Sequence, residues 1–319
     1  MHTFKNLQIS NYVAPFWLKQ GDLNTIVSAL WPLPKIQLGN QVDVTFADGE
    51  RTTGFVVDRK SEWVVLFLHG LAGSAESSFV LWGLKAAEKK GWSAVAINHR
   101  NCGSALGLAT KPYNSGKGED ASDYVHWIRQ NFPGRKILAV GYSLGASMLL
   151  NLMTHRFGTE LPDAAVAVNS PLNLSESVRL LCRGSGQIYG QHFTNSLRKQ
   201  IQELIDLGKV PPQHSIPKGA NLRHVDEIFT APLSGFRSAD HYYETASVGQ
   251  HLDRIDRETL FIGSMDDPFI PYSSFIPEIR KQKVITSHFF SHGGHVGYWT
   301  GRSPWFLTLL EDVFAHFNS

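Results

Sequence analysis

Ile137-Leu138-Ala139-Val140-Gly141-Tyr142-Ser143-Leu144-Gly145 runs from four consecutive apolar residues into a glycine-flanked turn. An apolar run of that length fits a strand covered on both faces, and Leu144 to about Phe157 reads as the helix that follows. The neighbouring segments repeat this grammar. Upstream, Trp63 to Leu68 is an unbroken apolar run ending at His69-Gly70. Phe79, Trp82, Ala86 and Ala87 follow at helical spacing, with Lys89 and Lys90 in the last turn and Gly91 as a stop. Trp92 to Ile97 is a second buried strand, and Ala121, Tyr124, Val125 and Ile128 make one helix face. Downstream, Ala164 to Val168 is a fourth strand. Strict alternation of strand and helix predicts an α/β protein with a doubly wound, mostly parallel sheet.

Further out the pattern changes. Val42 to Phe46 alternates apolar and polar residues, Asp48-Gly49 supplies a turn, and Gly54 to Val57 resumes an extended pattern, which predicts a β-hairpin. Residues 1–40 carry Trp17, Trp31, Pro32 and Pro34 among short apolar patches and read as a leader packed on the body. Between Pro171 and about Gly249 the alternation stops, and interrupted apolar spacing (Ile201, Leu204, Ile205) predicts a mostly helical insertion over the sheet. Alternation resumes with Thr259 to Ile262, a short helix near Ser273 to Arg280, Lys283 to Phe290, and an amphipathic helix from about Pro304 to Phe317. The expected division is a leader (1–40), a core (41–171 and 250–319) and a helical cap insertion (172–249).

Composition narrows the function classes. With 42% hydrophobic and 18% charged residues, the chain is neither disordered nor membrane-embedded. A formal net charge of +2, without clustered Lys and Arg, gives no reason to expect a nucleic-acid partner. No stretch approaches the roughly 18–20 apolar residues of a transmembrane helix, and Met1 to Gln20 lacks a signal-peptide pattern. Fourteen scattered His residues and two distant cysteines, Cys102 and Cys182, suggest no metal. Two reduced thiols in a cytoplasmic protein are the expectation.

The chemistry starts at Gly141-Tyr142-Ser143-Leu144-Gly145, a Gly-x-Ser-x-Gly pattern between a strand and a helix. There the strand must turn sharply so that one side chain stands exposed at the sheet edge, and Ser143 meets the free N–H groups of a helix start. A hydroxyl needs a base, and on this kind of sheet the acid and then the His follow the Ser in chain order. His295, in Ser291-His292-Gly293-Gly294-His295, is favoured over its neighbour His292, because a base delivered from a loop top suits the residue after the glycines. For the acid, Asp266 and Asp267 are adjacent and composition cannot separate them. Asp-Pro-x-Ile-Pro beginning at Asp267 is a recurrent acid-loop pattern, which makes Asp267 the choice and Asp266 a turn residue. The backbone N–H groups of Leu144 and Leu71 are the expected oxyanion donors. His69 is expected to hold its own turn through backbone hydrogen bonds.

Taken together, these segments resemble the YheT-type branch of the α/β-hydrolases, bacterial relatives of the ABHD1 and ABHD3 group. The resemblance is carried by Gly21-Asp22-Leu23-Asn24-Thr25-Ile26, His69-Gly70-Leu71-Ala72-Gly73-Ser74 and Gly118-Glu119-Asp120-Ala121-Ser122-Asp123. The Ser143 motif, Asp266-Asp267-Pro268-Phe269 and His292-Gly293-Gly294-His295-Val296-Gly297 complete it, in the same order along the chain. It implies a serine hydrolase with carboxylesterase-like activity and a triad at Ser143, Asp267 and His295. Two departures stand beside the triad: Ala146 where a further glycine is common, and Arg100-Asn101-Cys102-Gly103 in place of Arg-Gly-Cys. Eukaryotic relatives often carry a membrane anchor, and none is expected here.

The expected function is hydrolysis of a small-molecule acyl ester through an acyl-enzyme, without a cofactor. Acyl transfer or thioester cleavage by the same triad, and an inactive ligand-binding member of the fold, are the alternatives. Leu180, Leu181, Ile188, Tyr189, Phe193, Phe229 and Phe236 could line an acyl pocket or form the insertion's own core.

Overall fold

The computed structural model describes residues 3–318. The strands are β1 (Asn40–Thr45), β2 (Arg51–Val57), β3 (Trp63–Leu68), β4 (Ser93–Ile97), β5 (Lys136–Tyr142), β6 (Ala164–Val168), β7 (Thr259–Ser264) and β8 (Ile285–Phe290). They form one sheet in the order β1-β2-β4-β3-β5-β6-β7-β8. The β1–β2 hairpin joins antiparallel at one edge, and every pairing from β4 to β8 is parallel. Leu68 lies opposite both Ile97 and Gly141, and Val168 opposite both Tyr142 and Ile262. This register aligns the C-terminal ends of the parallel strands along one edge, where ligand sites form in open α/β sheets.

The unbroken apolar runs follow from burial on both faces. In β3, Val64, Leu66 and Leu68 enter the core under one face, and Trp63, Val65 and Phe67 the core under the other. The leader contributes α1 (Gly21–Leu30), and α2 (Ser78–Lys90) joins β3 to β4. Gly91, at φ 71°, stops α2 as its position after two lysines suggested. On the opposite face lie α3 (Gly118–Asn131) and α4 (Leu144–Met153); α4 ends earlier than its apolar pattern suggested, because His155 turns to φ 58°. Arg100, buried at the end of β4, donates to Asp120 of α3 at 2.6 and 2.8 Å and to Glu50 beside the hairpin. This buried pair ties the Arg100 segment to α3.

Between β6 and β7 run α5 (Leu174–Leu181), α6 (Gly186–Asp206), α7 (Leu222–Val225), a π-helical turn (Asp226–Thr230), α8 (Ala231–Leu233) and α9 (Ala239–Ala246). Helix α6 was poorly legible because its buried stripe is Gly186, Gly190, Thr194, Leu197, Ile201 and Leu204, half of it not hydrophobic. The buried residues of these helices belong to the same core as α3 and α4. A short α10 (Ile276–Arg280) precedes β8, and α11 (Trp305–Asn318) packs against α2.

Residues 3–39 pack against the body more closely than their scattered apolar patches suggested. Phe4 packs edge-on against Phe317 with ring centroids 5.3 Å apart, and Tyr12 lies 5.8 Å from Trp305. Among the described residues, no helix is long and apolar enough to cross a membrane, and no group of three or more metal-ligating side chains occurs. Cys102 and Cys182 stand free.

Candidate active site

Ser143 sits between β5 and α4 with φ 53° and ψ −119°, a conformation that costs a non-glycine residue roughly 1–3 kcal/mol. The surroundings hold it there. Its N–H donates to Val168 O at 2.9 Å, and its carbonyl accepts from Ser147 N–H at 3.1 Å. A Cβ at Gly145 would lie 2.4 Å from His69 O, so only glycine lets the end of β3 close on the turn.

Side chains from three separate sheet-edge loops meet at this turn. His295 Nε2 lies 2.8 Å from Ser143 Oγ, and His295 Nδ1 lies 2.9 Å from Asp267 Oδ2. Asp267 also accepts from Phe269 N–H (2.8 Å), Ile270 N–H (3.2 Å) and Asn169 Nδ2 (2.6 Å). A carboxylate ringed by donors leaves Nδ1 of the imidazole to carry the proton, so Nε2 presents its lone pair to the hydroxyl. The Asp267 side chain is fully buried and that of His295 is 10% exposed, so this chain of bonds lies largely out of water.

The rival residues form a separate pair. Asp266 Oδ1 accepts from Gly294 N–H at 2.9 Å and from the Ser264 hydroxyl, which fixes the glycine loop. His292 Nδ1 stands 3.6 Å from Asp266 Oδ2 and makes no hydrogen bond. Neither His292 nor Asp266 is bonded to Ser143.

Behind His295 stands a support that sequence reasoning did not identify. Thr25 of α1 accepts the His295 N–H at 2.8 Å and donates its hydroxyl proton to Gly21 O at 2.7 Å. Asn24 Nδ2 donates to Tyr12 OH at 2.7 Å, and Asn24 Oδ1 accepts from Trp299 N–H at 3.0 Å. A Cβ at Gly21 would fall 1.8 Å from Asp266 O, so glycine is required for α1 to reach the acid loop. Asn169, after β6, bridges Asp267, the Gly294 carbonyl (3.1 Å) and Tyr298 OH (2.9 Å). The Gly21-to-Ile26 segment was conspicuous in the sequence and was the available signal for the first group. Asn169 follows a buried strand end and carried no signal.

The loop after β3 lies beside Ser143. Leu144 occupies the first position of α4, where the N–H has no partner within the helix, and Leu71 N–H has no acceptor among the described residues. His69 Nδ1–H donates to Gly70 O at 2.8 Å while Nε2 accepts from His99 N–H at 3.0 Å. Burial, with the neighbouring His99, holds His69 well below the ordinary histidine range, and burial lowers His99 to about 4. Both rings are therefore neutral struts at physiological pH. Tyr113 OH accepts from Ala72 N–H at 2.8 Å and fixes the far side of the loop.

Ser143 and His295 face two cavities. The inner one, ≈ 80 Å³, reaches under α5, α7 and α9. The outer cleft, ≈ 390 Å³, is walled by α1, α2 and α6. Of the aromatic and aliphatic residues proposed from sequence, Phe193 lines both, Leu181 the inner, and Ile188 and Tyr189 the outer. Leu180, Phe229 and Phe236 line neither.

Comparison with known proteins identifies what the chain is similar to. A family model described as alpha/beta hydrolase fold matches residues 64–302. The YheT protein of Escherichia coli (strain K12), whose name includes the word esterase, is 30% identical over 88% of this chain and 85% of its own. Phospholipase ABHD3 of Mus musculus is 27% identical over 88% of this chain and 68% of its own. Among solved structures, the esterase Pf2001 of Pyrococcus furiosus superposes with a TM-score of 0.59 at 17% identity, covering 90% of this chain and 98% of that one.

Proposed function

This chain belongs to the α/β-hydrolase family, in its YheT-like branch, and from that premise we propose that it is a serine hydrolase of carboxylic esters. The observation that carries the reading is the Ser143–His295–Asp267 chain, with hydrogen bonds of 2.8 and 2.9 Å.

In this reading His295 Nε2 takes the Ser143 proton as Oγ attacks the ester carbonyl, and Asp267 orients the ring and stabilises the imidazolium. The N–H groups of Leu71 and Leu144 hold the oxyanion; losing one such donor typically costs about 3 kcal/mol of barrier. His295 protonates the departing alcohol, and water then attacks the acyl-enzyme by the reverse sequence. Relatives named esterase, phospholipase and monoacylglycerol lipase are consistent with ester cleavage. We take residues 172–249 as a cap over the site and residues 1–40 as a leader that braces it.

A fluorophosphonate probe read by intact mass tests this without knowledge of the substrate. A single adduct is expected on the wild type and none on Ser143→Ala. A folded wild type that takes up no adduct overturns the reading in favour of a ligand-binding protein.

A further inference from the structure

The inner cavity is lined largely by apolar side chains, among them Leu174, Val178, Leu181, Leu222 and Phe269. Among the polar groups in its wall, which also include Ser115, Tyr242 and Tyr243, two stand out. Ser177 on α5 is 5% exposed, and its hydroxyl is buried without a hydrogen-bond partner. A buried hydroxyl without a partner costs roughly 1–3 kcal/mol, so its presence asks for a ligand group. Asp226, at the start of the π-helical turn, is 8% exposed. Its Oδ2 accepts from Tyr243 OH at 2.7 Å, and a carboxylate can accept about four such bonds. π-Turns recur at functional sites because they redirect side chains that a regular helix would stack.

The two cavities are not equivalent for an ester. The alcohol departs first and needs a path outward, whereas the acyl group stays bound to Ser143 until water attacks. The larger outer cleft, with the exposed Leu30 (80%) and Ile188 (74%) in its wall, suits the departing alcohol. The smaller inner cavity suits the retained acyl chain. At roughly 10–15 Å³ for each water-sized group, ≈ 80 Å³ admits a chain of about six such groups.

We propose, building on the serine-hydrolase reading above, that the inner cavity selects short acyl chains ending in a hydroxyl, recognised by Asp226 and Ser177. The hydroxyl donates to the Asp226 carboxylate and accepts from the Ser177 hydroxyl, which gives that buried side chain the partner it lacks.

Protonation of Asp226 supplies a handle on this recognition. Burial raises its carboxyl to about 6, against the opposing hydrogen bonds of Tyr243 and Thr230 and the charge of Arg223. Arg223 is itself paired with Asp240 at 2.6 and 2.8 Å. Glu227 and Tyr242 are the other titratable groups facing it, and Arg100, across an adjoining small cavity, is held by Asp120 and Glu50. Above about pH 6 the anion favours a hydroxyl and penalises a methyl end; below it the neutral acid discriminates less.

The test compares p-nitrophenyl 6-hydroxyhexanoate with its methyl-ended counterpart, the heptanoate, by kcat/KM. The pH dependence of the shared chemical step affects both esters alike and cancels in the ratio. In the wild type the preference for the hydroxy ester should rise roughly tenfold from about pH 5 to about pH 7.5, the scale of a hydrogen bond to a charged group. Asp226→Asn should lower the ratio and flatten its pH dependence, and Ser177→Ala should lower the ratio with the pH dependence kept. Wild-type protein that reacts with fluorophosphonate but shows no hydroxyl preference at either pH overturns the proposal and leaves the serine-hydrolase reading standing. Absence of labelling overturns both. Should Asp226→Asn fail to fold, the wild-type pH profile and Ser177→Ala decide the matter.

Discussion

Thr25, on the first helix of the chain, accepts the backbone N–H of His295 at 2.8 Å across 270 residues of sequence. The contact fixes the peptide that carries the imidazole, and Thr25 is itself held by Gly21. In the proposed triad it positions the base through the backbone, and Thr25 also lines the outer cleft.

Thr25→Val should therefore lower kcat by about tenfold with little change in KM, on the scale of one hydrogen bond lost from a buried amide. Thr25→Ser, which keeps the hydroxyl, should restore most of the rate. Equal kcat for Thr25→Val and wild type in a steady-state ester assay would rule the positioning role out.

The two adjacent aspartates should separate sharply. Asp267→Asn removes the group that orients the ring and should cost about 10⁴-fold in kcat, by the precedent of a triad acid converted to its amide. Asp266→Asn leaves the His295 partner in place and weakens only the bonds to Gly294 and Ser264, so its loss should be smaller by about a hundredfold or more. Comparable rate losses in the two variants would reverse the assignment.

Asn169→Ala should reduce stability by about 2–4 kcal/mol in urea unfolding. It strands the donors and acceptors of Asp267, Gly294 and Tyr298 in a buried site. It also puts alanine at φ 50°, which asparagine tolerates better. A change below about 0.5 kcal/mol would show that the network is not needed for folding.

Acid should weaken the protein through His69 and His99. Both are buried with lowered pKa values, His99 to about 4 from 6.5. Below about pH 6.5 the unfolded chain binds protons that the folded chain refuses, so stability present at neutral pH is lost as pH falls toward about 4. For His99 alone this amounts to about 3 kcal/mol. Asp226, raised by burial to about 6, acts in the opposite sense over the same acid range. The urea midpoint should therefore fall between neutral pH and about pH 4.5 in the wild type, and fall less in His99→Gln. Identical slopes for the two would remove His99 from the explanation.

The chain's sequence revealed much of this fold for a physical reason. A strand buried on both faces has no polar side, so β3, β4, β5 and β6 appear as apolar runs. The glycines around Ser143 and His295 advertise backbone that must turn tightly. What stayed hidden has a physical reason too. A polar side chain such as Asn169 acquires meaning only from partners that the fold brings to it, and nothing local distinguishes it from a solvent-facing residue. Asn24 and Thr25 stood in a conspicuous segment, but their partners did not show. Helix α6 was obscured because close packing against α5 uses glycine and threonine where a hydropathy pattern looks for leucine. Composition left the adjacent pair Asp266 and Asp267 unseparated, the Asp-Pro-x-Ile-Pro pattern favoured Asp267, and its Oδ2 is the one that meets His295 Nδ1.

The brace between α1 and the His295 loop also bears on timing. Ser143 precedes His295 by 152 residues, and in the proposed triad the imidazole is held only after β8 has docked and its loop has met α1. In that triad the serine is an ordinary alcohol until α1 and the His295 loop have met. On the serine-hydrolase reading, the return of activity on refolding marks the docking of α1 against the His295 loop rather than the formation of the sheet.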